Sequence, residues 1–156
     1  MSISTKEELQ YLLHRSWEIE KKFESISVWK GFTAITSTHR NLLLTLARDS
    51  QKHRLHLETI LSKLGLEAPI NEINDPKFDF DGMMDEEILQ KIRAQDEMIA
   101  ELYEEILEKT KADLVASLSD NNTVDIFFNT LKTLIEDEKR HVKLIKAVAG
   151  TIVRIL

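Results

Sequence analysis

Apolar residues recur every three or four positions through four segments of the chain, which is the spacing of one face of an α-helix. The first segment places five residues on one face: Leu9, Leu13, Ser16, Glu20 and Phe23. The other segments run roughly over residues 38–64, 85–109 and 123–148, and Gly65 ends the first of these three. Because the chain has only 4 glycines and 2 prolines for turns, we predict an all-α protein in which one domain, residues 1–156, contains four long helices.

The connections between these helices differ in length. Those near residues 28–37 and 110–122 are short, whereas the linker at about 65–84 includes both prolines, in the stretch EAPINEINDPKFDFDG. This linker is longer than a hairpin between adjacent antiparallel helices needs. It therefore predicts a four-helix bundle of two antiparallel hairpins, joined by a long crossover between helices 2 and 3. An up-down-up-down bundle with a decorated loop is the alternative.

Ionisable residues occupy places on these apolar faces where leucine would be usual. Five are candidates for one site: Glu20, His53, Asp96, Glu138 and His141. Burying a bare carboxylate or imidazole is unfavourable unless a partner neutralises it, and three converging carboxylates would repel one another. A metal ion resolves both problems, and mixed oxygen and imidazole ligands suit iron, manganese or zinc better than calcium. We therefore predict that these five residues are metal ligands.

Each candidate also has an ordinary interpretation when taken alone. A Glu-x-x-His spacing such as Glu138 to His141 is common on helices, and a single core histidine such as His53 usually has a hydrogen-bonding role. Asp96 lies on the edge of its inward face, where a surface acid is the alternative, and Asp49 is expected to form a surface salt bridge. The metal-site prediction therefore depends on the joint pattern, in which every helix contributes.

A weak internal repeat relates the two helix pairs. The stretch LARDSQKH, residues 46–53, aligns with LIEDEKRH, residues 134–141, so that aspartates and histidines fall in the same register. The aligned pairs are Asp49 with Asp137 and His53 with His141. Packing alone does not require a shared histidine, so the repeat supports a site built from both pairs.

Composition narrows the function classes. Net charge is −6 with acids and bases interspersed, which argues against a nucleic-acid groove. The absence of cysteine removes disulfides, zinc fingers and rubredoxin-type iron centres. No apolar run approaches the roughly 18 residues of a membrane span, and MSISTKEELQ lacks the apolar stretch of a signal peptide. We therefore predict a cytoplasmic protein that does not bind nucleic acid or insert into membranes.

Helix order, crossover and ligand register together resemble the ferritin-like superfamily, and within it the rubrerythrin-like di-iron carboxylate proteins. The resemblance is most specific at AQDEMIAELY, residues 94–103, and at EDEKRH, residues 136–141. The family pattern is one Glu from each of two helices and a Glu-x-x-His from each of the other two. It implies a ligand role for the five candidates, with Glu138 bridging two iron ions; one ion, manganese or zinc is the alternative.

The chain departs from this family pattern at two positions. Asp96 stands where Glu is usual, and Ser50 stands where the other bridging Glu belongs. The resemblance implies peroxide or dioxygen chemistry or ferrous iron oxidation, a homodimer, and an external electron donor. Because Ser50 cannot supply a charge or a bridging carboxylate, the alternative is a non-catalytic bundle with a single-metal or empty site.

Overall fold

The computed structural model describes residues 2–34, 36–70 and 83–155, and it describes only the backbone of residues 31 and 149–155. Within these ranges the chain forms five helices, so the all-α prediction is confirmed. They are α1 (Lys6–Thr33), α2 (Ser37–Lys63), α3 (Asp85–Lys109), α4 (Ala112–Leu118) and α5 (Asn121–Ile155). Within the described ranges, none of these helices combines the length and the hydropathy needed to cross a membrane.

Two of the predicted connections contain more helix than the sequence indicated. The connection predicted around residues 28–37 is shorter than that range, because α1 continues to Thr33 and the Ala34 N–H still donates to the Lys30 carbonyl at 2.8 Å. The region 110–122 contains the short α4, whose Val115 is fully buried. One turn or two of helix gives too few apolar repeats to be recognised by periodicity.

Contacts between side chains fix the directions of the long helices. The α1–α2 pair is antiparallel, because Trp17 donates to Glu58 at 2.9 Å while Glu20 lies beside His53. In addition to this pair, α3 packs against α5, α2 against α5, and α1 against α3.

The helices α2 and α3 begin at the same end of the molecule. His39 near the start of α2 and Asp85 at the start of α3 approach within 2.9 Å. Leu66, at the start of the linker, packs with the C-terminal ends of α2 and α3. These ends lie farthest from the His39–Asp85 pair. The two helices therefore run parallel, and residues 66 and 83 lie at opposite ends of them. The central part of the predicted crossover, residues 71–82, lies outside the described residues.

The core consists of two apolar clusters separated by a polar layer. The larger cluster contains the first half of α1, the end of α2 and the start of α5, with Leu13, Leu57 and Leu131 fully buried. The smaller one surrounds Leu43 and Ile145. Burying each such side chain contributes about 1.5–3 kcal/mol. These clusters supply the stability that a polar layer at mid-height requires.

The inward face of α3 differs from the predicted one by a rotation about the helix axis. The repeat of three and four positions predicts an inward face through Ile88, Gln95 and Leu102. Gln95 and Leu102 are only partly buried, whereas Leu89, Asp96 and Tyr103 are buried. The helix packs on both α1 and α5, so the middle of its buried face lies between these neighbours. Asp96 therefore lies inside the bundle instead of at its edge.

Candidate metal centre

The structure brings all five predicted ligands together in the polar layer. They come from four helices: Glu20 from α1, His53 from α2, Asp96 from α3, and Glu138 with His141 from α5. Their exposed fractions are 1%, 1%, 6%, 1% and 2%, respectively. Such burial of five ionisable side chains at one level calls for mutual neutralisation or a bound cation.

The five residues form two overlapping groups of three that share Glu138. In the first group, which we call position 1, ligand atoms of Glu20, His53 and Glu138 lie within 4.8 Å of one another. In the second, position 2, the same holds for Asp96, Glu138 and His141. Each position thus offers two carboxylates and one imidazole, and Glu138 links the two positions.

At position 1, His53 lies between two carboxylates. Its Nδ1 is 2.9 Å from Glu138 Oε1 and 3.3 Å from Glu20 Oε1. The Tyr103 hydroxyl donates to the same Glu20 oxygen at 2.8 Å, and its ring is fully buried. Tyr103 therefore fixes the orientation of the Glu20 carboxylate.

The outer nitrogens of both histidines hydrogen-bond to aspartates of the other helix pair. His53 Nε2 donates to Asp137 at 3.0 Å, and His141 Nε2 donates to Asp49 at 2.8 Å. Metal-ligating histidines ordinarily donate their second N–H to a carboxylate in this way, which fixes the ring orientation. The inner Nδ1 atoms then face the site. His141 Nδ1 lies 3.4 Å from a Glu138 oxygen.

Asp49 forms the expected salt bridge, but its predicted position at the surface is wrong. Its side chain is 5% exposed, and Arg140 contacts it at 3.2 Å in addition to His141. Burial acts to raise the pKa of Asp49, but the hydrogen bond from His141 and the charges of His141 and Arg140 outweigh burial and lower it. Asp49 is therefore an ionised partner of the centre. The sequence signal for this role was its place in the internal repeat.

The charges at position 1 balance around a protonated histidine. Burial, together with the charge of Glu138, raises the pKa of Glu20 to about 7. Burial alone would lower the pKa of His53, but hydrogen bonds with Glu138 and Glu20 raise it to about 11. Burial acts to raise the pKa of Glu138, but the neighbouring imidazoles of His141 and His53 outweigh burial and lower it to about 2. A protonated His53 therefore supplies the positive charge that a metal cation would otherwise bring.

At position 2, fewer of the carboxylate oxygens have hydrogen-bond partners within the protein. Burial and the charges of Glu138 and Glu20 raise the pKa of Asp96 well above its usual range. Asp96 Oδ2 and Glu138 Oε2 are buried and have no hydrogen-bond partner. Buried polar atoms are nearly always paired. Two free carboxylate oxygens beside an imidazole fit a cation with mixed oxygen and nitrogen ligands, such as iron, manganese or zinc.

No family model, curated protein or solved structure matches the chain. The interpretation of the site therefore depends on its geometry and on the sequence pattern.

Other histidines lie apart from the centre. His39 pairs with Asp85 at the start of α2, and His14 Nε2 lies 2.6 Å from the Glu67 carbonyl. His56 is exposed on α2. Ser50 is the buried residue that departs most from the symmetry of the internal repeat. It is 6% exposed and lies one turn before His53.

Proposed function

We propose that this chain is a ferritin-like protein whose four long helices bind two iron ions at positions 1 and 2. The single observation that carries the proposal is the pair of buried ligand groups sharing Glu138. A carboxylate common to two groups, with one histidine on each side, is the arrangement expected when two ions are bridged.

Iron bound there would supply redox chemistry with peroxide or dioxygen, or the oxidation of further ferrous iron. The apolar clusters above and below the polar layer exclude water from it. Tyr103 holds Glu20, and Asp49 and Asp137 hold the two imidazoles, so the ligands are oriented before an ion arrives. Pre-oriented ligands favour a defined coordination geometry over a loose surface site.

Electrons would come from a separate donor protein, since these 156 residues contain no cysteine to hold a rubredoxin-type iron. We also propose a cytoplasmic homodimer. Trp29 and Phe32 support the dimer, because they are 65% and 72% exposed on α1. Large exposed aromatic residues are typical of contact surfaces.

Iron binding tests the proposal most directly. Metal-free protein is loaded with ferrous iron without oxygen, and the iron retained per chain is measured before and after addition of peroxide, together with the optical spectrum. We expect two tightly bound irons per chain and new near-ultraviolet absorption on oxidation. Glu138→Gln should abolish tight binding, because both positions use this carboxylate.

Glu136→Gln is the matched control, because Glu136 is exposed on the same helix two residues earlier. It should bind iron like the unmodified chain. Retention of no iron by the unmodified chain, or equal retention by the Glu138 and Glu136 variants, would contradict the proposal.

Ser50 favours a second candidate, a non-catalytic bundle with one structural or sensing ion. A serine hydroxyl provides neither the charge nor the second bridging carboxylate of the family pattern. In that case metal should raise the unfolding temperature through binding, whereas peroxide should cause no change in the spectrum. The same experiment separates the two functions.

A further inference from the structure

The ligand atoms of position 1 already take part in contacts within the protein. His53 Nδ1 lies 2.9 Å from Glu138 Oε1 and 3.3 Å from Glu20 Oε1. The same Glu20 oxygen accepts a hydrogen bond from the Tyr103 hydroxyl at 2.8 Å. A hydrogen bond to a charged group is stronger than one between neutral groups. An ion that binds at position 1 must therefore break contacts that stabilise the metal-free protein.

The ligand atoms of position 2 are not held in this way. Asp96 Oδ2 and Glu138 Oε2 are buried and have no hydrogen-bond partner. His141 Nδ1 lies 3.4 Å from Glu138 Oε2 but does not satisfy that oxygen with a hydrogen bond. Buried polar atoms without a partner are uncommon, and each leaves a desolvation cost unpaid. An ion at position 2 would gain these two oxygens as ligands without breaking a hydrogen bond of either one.

The carboxylates behind the two imidazoles also differ between the positions. His141 Nε2 contacts Asp49, whose side chain is 7% exposed, whereas His53 Nε2 contacts Asp137, whose side chain is 35% exposed. Water screens a buried charge less than a half-exposed one, so Asp49 attracts a nearby cation more strongly than Asp137 does. Arg140 contacts both aspartates, at 3.2 and 3.5 Å, and therefore weakens the attraction of both. The outer carboxylates thus also favour the first ion at position 2.

We propose that position 2 is the first binding site of the centre, and that a second ion enters position 1 only by displacing the contact between His53 and Glu138. The inference rests on the proposed function, because it divides the two-ion centre into two ordered steps. A single bound ion would have Asp96, Glu138 and His141 as its protein ligands. At limiting metal the centre therefore holds one ion at position 2, while the His53 imidazole stays on Glu138 Oε1 in place of the second ion.

A zinc titration of the unmodified chain tests the order directly. Metal-free protein is titrated with Zn²⁺ at constant pH, and binding is measured by calorimetry and by nitrogen NMR of the histidine rings. The first ion should bind more tightly than the second by about tenfold or more, the affinity equivalent of one hydrogen bond to a charged group. The His141 Nδ1 signal should shift during the first equivalent and the His53 Nδ1 signal only during the second.

Paired substitutions assign the two steps to the two positions. Asp96→Asn should remove the tight step, whereas Glu20→Gln should keep the tight step and remove the weaker one. Both replacements preserve the shape of the side chain and remove its charge. Glu97→Gln is the matched control, because Glu97 is exposed beside Asp96, and it should keep both steps. Circular dichroism verifies that each variant folds, and the NMR titration of the unmodified chain decides the order if one does not.

The possible results separate this inference from the proposed function. Two equally tight ions, a His53 signal that shifts first, or loss of the tight step in Glu20→Gln but not in Asp96→Asn would overturn the order while leaving a two-ion protein. One ion at position 2 and no second ion would support the order and contradict the two-iron proposal. Binding of neither zinc nor iron by the unmodified chain would overturn both.

Discussion

Replacing Tyr103 with phenylalanine removes one hydroxyl from the core and leaves the ring in place. That hydroxyl donates to Glu20 Oε1 at 2.8 Å in a side chain with no exposed surface. The same carboxylate also lies 3.3 Å from His53 Nδ1 and beside the carboxylate of Glu138. Tyr103→Phe therefore removes a short hydrogen bond from a buried carboxylate.

The expected loss of stability depends on the charge of Glu20. Burial raises the pKa of this group to about 7, so it is mostly ionised at pH 8 and mostly protonated at pH 6. A hydrogen bond to a charged group contributes about 1.5–3 kcal/mol, and one between neutral groups about 0.5–1.5 kcal/mol. Tyr103→Phe should therefore lower the free energy of unfolding of the metal-free protein by about 2 kcal/mol at pH 8 and by about 1 kcal/mol at pH 6.

Urea unfolding followed by circular dichroism at both pH values measures this difference. Tyr11→Phe is the matched control, because Tyr11 is the other tyrosine of the chain and is 67% exposed. Its effect should stay within about 0.5 kcal/mol. A Tyr103→Phe loss no larger than that of the control, or one that is larger at pH 6 than at pH 8, would refute the reasoning.

Three further predictions concern pH, the outer carboxylates and the core. The metal-free protein should lose stability as pH rises from about 5 to 9, measured by thermal unfolding, because Glu20 and His53 have folded-state pKa values raised to about 7 and about 11 and their protons stabilise the fold. Metal affinity, measured by competition with a chelator, should rise over the same range because ions must displace those protons. Asp49→Asn should weaken metal binding about 10–100-fold, since it removes the charged partner of a ligating imidazole. Leu134→Ala should cost about 2–5 kcal/mol of unfolding free energy because its side chain is fully buried, whereas Leu144→Ala, at a residue that is 38% exposed, should cost far less.

Each of these predictions has an outcome that would contradict it. Stability of the metal-free protein that increases steadily between pH 5 and 9 would show that the site protons do not stabilise the fold. Asp125 is exposed on α5, so Asp125→Asn serves as the control for Asp49→Asn. Equal metal affinities for these two variants would show that Asp49 does not support metal binding. Equal effects of the two leucine substitutions would place Leu134 outside the core.

Sequence periodicity predicted which residues of each helix face inward better than it predicted how the helices meet. The polar residues Ser16, Glu20, Ser50 and His53 were placed on apolar faces, and all are buried. Periodicity describes a helix by itself, so it did not show that α3 is rotated to place Asp96 centrally between α1 and α5. That rotation depends on both neighbouring helices.

Asp49 is a second residue whose burial helical periodicity did not predict. It lies about 100° around the helix from Ser50, which is the turn per residue of an α-helix, and this angle predicts a position at the surface. Its burial results from the approach of Arg140 and His141 on α5, which cover that edge of α2. Helix ends were also predicted poorly where apolar repeats were few, as in α4.

The reciprocal pairs of His53 with Asp137 and His141 with Asp49 also determine how α2 and α5 can slide along each other. Leucine contacts tolerate a shift of one helical turn, about 5.4 Å, because equivalent apolar residues recur at that interval. The same shift would separate both imidazole–aspartate pairs and leave ionisable groups in the bundle without partners, which is strongly unfavourable. The polar layer thus selects one longitudinal alignment of the two helices, even before any metal binds.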